Sequence, residues 1–592
     1  MVRKSIVFLL IHICFVFLSY SDIYERINVF GQFYTSKFQS KNVVIITEKD
    51  IELLKSHSVS EILGNFTAVN ISRKGGSGEN FDITMRGGNF EQILILINGV
   101  PYNNSQTGHF NSDFPFQVQD IKRIEVIKGG SSTAYGSGAY SGVINIVLNN
   151  NPNIGVSFEG GEKNYYSTRA DIGKSFGKFK VKFGVNKKKS DGFYDGREFD
   201  ILTLSGSASY LTKLTEVKAF AGYKKNNFGA KGFYAPYSSL ENIGSLFSQF
   251  NIKRQIGKSF YCLRYSFATH KDDFILDRYN IALFKNESFT YTHRLSLSGN
   301  FNIKRMRLSA GFDLKKDIMD SSSMGYHIMN TGSVFFNMNI PFDRSGMDIG
   351  VRATIFSGVA PSTIFYSGFY YNFNDNFRFK VNMGKSYRLP SFTELYYNSP
   401  ANHGNSNLLS ETNYNYETSL VYLFGKHSLE LNVFYRNQSN SIDWVKFMDG
   451  KGETTRYWEA VNIKKNDNAG FEFLHNIVFD NILFNYGIEK IFSIDYYKNL
   501  LSKYGLRYPD FIIKFNVSYP IIDKLRIIAN YNYKTINDTD IKGHYLNLKL
   551  NLTVNKIKIA LKINNVFNTA IEEIPGVKIP GRWAYIQISY NL

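Results

Sequence analysis

The residues able to do chemistry lie in two short clusters. Tyr102, Asn103, Asn104, Gln106, His109 and Asn111 crowd hydrogen-bonding groups into one stretch, the equipment for orienting a polar solute rather than breaking it. His109 has no Cys or His beside it at metal-ligand spacing, which speaks against a metal role. Asp272, Asp273 and Asp277, in HKDDFILDR, put three carboxylates close together. They are candidate calcium ligands, with solvated loop charges as the competing reading. No His-Glu-x-x-His or Walker loop occurs, so the chemistry points to binding and not to an enzyme.

Two kinds of element must position these groups. Residues 43–148 run as short blocks hinged by glycine, with an amphipathic helix expected over residues 49–63 and Gly64 ending it. From about residue 155 to the end the pattern has a period of two. Leu546, Leu548, Leu550, Leu552 and Val554 alternate with Asn547, Lys549, Asn551 and Thr553. After a turn at Asn555-Lys556, Ile557, Ile559, Leu561 and Ile563 continue the apolar face. Phe179, Val181, Phe183 and Val185 alternate with lysines in the same way far upstream. The segment from Trp583 to Leu592 reads as a closing strand.

A two-layer sandwich also alternates, but length and continuity favour a transmembrane β-barrel with lipid outside and a polar lumen. At about 20 residues per strand and connection, the segment accommodates roughly 22 antiparallel strands, a size class with a filled lumen. An empty barrel of that size would leak, and the domain ahead of it is the natural filling. The expected fold is therefore all-β and transmembrane, with an N-terminal α+β plug inside the barrel. Tyr165-Tyr166, Tyr370-Tyr371 and Tyr396-Tyr397 are candidates either for interfacial girdles or for lumen aromatics.

Composition agrees. The 592 residues include 40 Tyr, 51 Phe and only 12 Pro, with 16% aromatics, as many strands joined by turns require. Arg3 and Lys4 precede an apolar run over residues 6–18, and Ser19-Tyr20-Ser21 supplies small residues, the pattern of a cleaved export signal over residues 1–21. Cleavage removes Cys14 and leaves Cys262 alone, so no internal disulfide is expected. The net charge of +19 is spread over polar strand faces, as at Lys178, Lys180 and Lys182, without a nucleic-acid-binding cluster.

The blocks SVSEILGNFTAVNIS, MRGG, ILILINGVPYN, IKRIEVIKGG and AYGSGAYSGVINI resemble, in order, the plug of the TonB-dependent outer-membrane receptor family. GKSYRLPSFTELYYNSPANHGNSNLLSETNYNYE, INNVFN and PGRWAYIQISY resemble strands of its barrel. The resemblance implies a linker over residues 22–42, a plug over 43–150 and a barrel over 151–592. Glu25, Arg26, Ile27, Asn28, Val29, Phe30 and Gly31 take the place of the TonB box, which adds as a strand to the periplasmic TonB protein. It also implies a latch between plug and barrel, with Arg86 and Arg123 at the plug positions and Glu417 and Glu472 at the barrel ones. Ligand recognition is expected on apical plug loops, residues 75–80 and 102–114, and on the long barrel loops.

Within the family the plug stretch NISRKGGSGENFDITMRG most resembles the cobalamin receptor, implying uptake of cobalamin or a related corrinoid. The alternative is a ferric siderophore or haem receptor. A passive porin is a different class that predicts no plug. The implied setting is the bacterial outer membrane, with TonB, a small-molecule ligand and outer-membrane lipid as partners, no nucleic acid, a monomeric state, and calcium as the one conceivable cofactor.

Overall fold

The structure is a computed structural model that describes residues 40–592, except 55, 57, 67–68, 75–79, 235, 449–453, 480–481, 495–498, 506, 538–541 and 575–576. Residues 1–39, with the export signal and Glu25 to Gly31, therefore lie outside the described residues, as does most of the loop 75–80.

Twenty-two antiparallel strands close into a barrel, as the spacing led one to expect. Closure is made by Trp583–Asn591, which pairs with Ile557–Asn564 on one side and Gly155–Gly161 on the other. The period-two pattern sorts each strand as anticipated. Leu550 and Leu561 pair across the last hairpin and face out, while Lys549 and Lys562 are buried inside. The turn between them uses Asn555 at φ 54°, a left-handed conformation that Asn tolerates. Further upstream, Phe183 is exposed to the outside while Lys182 is buried and reaches Asp120 of the plug at 2.6 Å. Apolar side chains in contact with lipid and polar ones in the lumen are what a membrane barrel demands.

The tyrosine pairs divide differently from a lipid girdle. Tyr165 and Tyr370 are buried, Tyr165 against Trp583 and Tyr585, and Tyr396 closes a short helix, Phe392–Tyr396, in a barrel loop.

Inside the barrel, a five-stranded sheet runs in the order Val43–Thr47, Ile121–Lys128, Gly142–Leu148, Ile93–Ile97, Val100–Pro101. Apart from Ile121–Lys128, which carries four charged residues, its strands are almost wholly apolar because both faces are covered. Ile95, Ile97, Ile124, Val126, Ile144 and Ile146 form one core with Ile62 and Leu63. The single helix expected over residues 49–63 is two, Glu48–Leu54 and Val59–Gly64. Ser58 begins the second by accepting the Glu61 N–H at 3.1 Å, a local start signal that competes with continuation.

The barrel's two ends differ. At one, strands are joined by tight turns such as Gly177 and Asn555-Lys556; at the other, by long connections such as residues 389–410 and 448–467. Short turns mark the periplasmic end and long loops the outside. Residues 102–114 lie beneath the long loops: the N–H groups of Phe392 and Thr393 donate to the carbonyls of Ser105 and Gln106, each at 3.0 Å.

Candidate solute-binding site and plug latch

Beneath the long loops is an open cavity of about 1090 Å³, part of it open solvent, between the plug and the barrel. The plug supplies Phe90, Glu91, Gln106 and His109, and the loops supply Tyr234, Tyr397, Lys503 and Tyr504. His109 stacks on Phe90 with ring centroids 3.9 Å apart and meets the edges of Tyr504 and Tyr234 at 5.4 and 6.0 Å. Such a surface holds a flat or conjugated solute by its faces. Its polar floor is anchored: His109 Nδ1 lies 2.8 Å from Asp82 Oδ1, and Lys74 Nζ lies 3.3 Å from the same oxygen. Burial first, then the Lys74 charge, lowers the His109 pKa against the pull of Asp82, leaving the ring neutral at pH 7. Burial and the neighbouring Glu394 push the Glu91 carboxyl up to about 8. Burial pulls the Lys503 ammonium down to about 8 against the attraction of Asp443.

The wall around the cavity is braced by an arginine. Arg388 holds Glu394 through two bonds of 2.8 and 2.9 Å and Glu411 through one of 2.5 Å. Glu394 in turn closes a capping box with Ser391 at the start of the loop helix. The Ser-x-x-Glu spacing of that box was open to reading in the sequence.

Of the six candidate ligand residues, Gln106 and His109 reach this cavity. Gln106 donates to Asp272 Oδ2 at 2.9 Å and leaves its own Oε1 without a partner among the described residues. Asn103 and Asn104 line a second cavity, closer to the barrel wall. Asn103 is also a brace, its side chain bridging Ile95 N and Ile93 O at 2.7 and 2.8 Å. Tyr102 and Asn111 are turned inward: Tyr102 donates to the Asp113 carbonyl at 2.5 Å, and Asn111 accepts from Asn104 N at 2.9 Å.

The three aspartates are not brought together. Asp272 and Asp273 are successive residues of one strand and point to opposite faces. Asp272 is buried toward Gln106, Asp273 pairs with Lys285 at 3.4 Å, and Asp277 accepts from the Tyr279 N–H in the following loop. Among the described residues no group of three or more His, Cys, Asp or Glu is placed to hold a metal.

Of the four residues expected at the latch, the structure brings Arg86, Glu417 and Glu472 together. Arg86 sits in a plug turn at φ 50° followed by Gly87 at φ 75°, which aims its side chain at the wall. It donates to Glu417 Oε1 at 2.6 Å and to both oxygens of Glu472 at 2.7 and 2.9 Å, all buried. Burial opposes the charge, but Glu417 and Glu472 outweigh it and hold the guanidinium pKa above its ordinary value. Arg123 takes no part: it donates to Glu125 at 2.7 Å within its own strand, beside Thr47. The second cation is Lys128, which reaches Glu472 at 2.9 Å and Glu430 at 3.5 Å. Arg123 and Lys128 are five residues apart on an extended strand, roughly 17 Å, so only one of them can meet the glutamates. Asn42, donating to Glu417 at 2.6 Å, and Arg436, donating to the Arg86 carbonyl at 2.7 Å, complete the network. Nothing in the residue types alone separates Lys128 from the many other lysines.

Two family models match the chain: the TonB-dependent Receptor Plug Domain over residues 36–143, and the TonB dependent receptor-like beta-barrel over residues 97–566. The chain belongs to the TonB-dependent receptor family. This TonB-dependent receptor is thus an outer-membrane transporter, not an enzyme, which binds a small-molecule ligand and works with TonB. Its fold is similar to that of the siderophore receptor PirA from Acinetobacter baumannii, at 16% identity and a TM-score of 0.77, over 93% of this chain and 98% of that one. It is also similar to a mutant of the ferric enterobactin receptor PfeA from Pseudomonas aeruginosa in complex with enterobactin, at 16% identity and a TM-score of 0.76, over 94% and 100% of the chains. At such identities the likeness is one of fold.

Proposed function

We propose that this receptor imports a ferric siderophore, bound first in the aromatic cavity between His109 of the plug and the long barrel loops. The carrying observation is the lining of that cavity: plug and barrel aromatics converge on it at the loop end. That the solved relatives named above are siderophore receptors supports this reading over the corrinoid expected from the plug sequence. The plug stretch NISRKGGSGENFDITMRG keeps a corrinoid as the second reading.

The proposed cycle begins with export under a cleaved signal and insertion as a monomer surrounded by lipid. Solute binding is felt by the plug through its 3.0 Å backbone contacts to the loop helix. Glu25 to Gly31 then pairs with TonB, and pulling loosens the Arg86 and Lys128 network. Calcium remains a proposal without a converged ligand set.

The test is quenching of Trp444, which lines the cavity. Purified receptor is titrated with ferric siderophores of several classes and with cobalamin, with and without calcium. Saturable quenching by a ferric chelate that is absent in Trp444→Phe supports the proposal. Sub-micromolar binding of cobalamin with no response to any ferric chelate overturns it.

A further inference from the structure

The plug does not fill the lumen evenly. Between its turn 134–138, its loop 99–105 and the inner wall lies a second cavity of about 1290 Å³, part of it open solvent, which meets the outer one at Glu91 and Ser391. Its wall is basic. Arg264, Arg294, Lys315 and Arg352 face it, against Asp313 and Asp317. Lys315 is paired with Asp317, and Arg352 with Asp313 at 2.5 Å. Arg264 and Arg294 have no carboxylate within salt-bridge distance among the described residues, and Arg264 Nη1 and Arg294 Nε have no hydrogen-bond partner.

These two arginines are neighbours. Arg264 is opposite Ser296 and Arg294 opposite Ser266 on adjacent strands, so they form a diagonal pair, with Cα atoms about 7–8 Å apart. Two like charges held side by side in a half-buried cleft favour an anion that joins them. A guanidinium fork fits two oxygens of a carboxylate or phosphate, and two forks at this spacing can grip one group from both sides. The opposite side of the cavity is plug backbone, brought close by Gly136 at φ 87°, where a Cβ would stand 3.3 Å from Arg352 Nη2.

We propose that the plug–wall cavity is an oxyanion-binding site, built on Arg264 and Arg294, that receives a carboxylate or phosphate group after it leaves the outer cavity. The site is separate from the aromatic one, since neither arginine lines that cavity. A basic site on the inner side gives a solute a place to pause between release outside and passage beside the plug.

Inorganic phosphate and citrate are the probes, applied to the purified full chain in detergent at constant ionic strength with chloride as the reference. The expected result is a saturable rise in the thermal midpoint with phosphate or citrate, retained in R264K/R294K and reduced to the chloride baseline in R264Q/R294Q. The comparison between variants removes the general stabilisation that such salts give any protein. The single variant R294Q guards against misfolding of the double one; its apparent affinity is expected to fall roughly tenfold, the loss of about one charge-assisted hydrogen bond. Tighter citrate assigns the site to carboxylate-bearing solutes, and tighter phosphate to phosphate groups. An equal response in R264Q/R294Q and the parent, or no response above chloride in the parent, overturns the proposal. Trp444 quenching in the outer cavity is read separately, so failure here leaves the siderophore reading standing.

Discussion

Replacing Arg86 by Ala is the sharpest test of how the plug is held. The side chain makes three charge-assisted bonds, one to Glu417 and two to Glu472. Their gross strength overstates the loss, because both carboxylates keep a partner: Glu472 retains Lys128 at 2.9 Å and Glu417 retains Asn42 at 2.6 Å. What remains is a buried pair of carboxylates with one cation between them, close to one uncompensated charge. Removing one side of a buried ion pair costs about 3–5 kcal/mol. At a urea dependence of about 2 kcal/mol/M for a domain of this size, the plug's unfolding midpoint should fall by roughly 2 M. A fluorophore on an engineered plug cysteine follows that transition while the barrel stays folded. Arg86→Ala combined with Glu417→Gln removes the surplus charge while leaving Glu472 paired with Lys128, and should recover most of the loss. A midpoint within about 0.3 M of the parent for the single variant, or a double variant weaker than the single, refutes the reasoning.

Gly222→Ala should also unseat the plug, because its Cβ would stand 2.0 Å from the Pro115 carbonyl oxygen, a backbone atom that cannot swing away; a loss of about 1–3 kcal/mol is expected in the same urea assay. His109 predicts a pH effect with a definite sign. Its folded pKa is below the ordinary 6.5, so the folded state binds fewer protons than the unfolded one, and plug stability should fall as pH drops through 6.5. His109→Phe, which keeps the stacking on Phe90, should flatten that slope in a pH series of urea midpoints. Deleting residues 25–31 should abolish energised uptake while leaving solute binding at the cell surface intact; loss of both would remove the TonB box assignment.

Much of the architecture was legible because sheet periodicity is local. Leu550 and Lys549 announce their faces by alternation alone, and a barrel of 22 strands follows from how many such hairpins the chain holds. The latch was half legible for the same reason. Arg86 stands in a glycine turn that can be recognised in isolation, whereas Lys128 is distinguished only by strand register relative to Glu472, which lies hundreds of residues away. Asp272 illustrates the converse. Grouped with Asp273 by sequence, it is separated from it by the pleat and joined instead to Gln106, itself a residue singled out for ligand contact. The arginine pair escaped notice because Arg264 and Arg294 become neighbours only through a cross-strand diagonal.

The network around Arg86 joins parts of the chain that are synthesised far apart. Arg86 is separated from Glu417 by 331 residues and from Glu472 by 386, and the barrel is sealed only when the strand Trp583–Asn591 meets Gly155–Gly161. The plug is made first, yet its lasting contacts come from strands made near the end. The entropy of closing so long a loop grows slowly, by about 0.6 kcal/mol for each doubling of length, so the delay is one of time more than of energy. Until the wall arrives, Arg86 and Lys128 are solvated charges on an unsupported domain. The seam joins the barrel's last strand to the first one after the plug, so the two ends of the wall that encloses the plug meet beside the point where the plug leaves it.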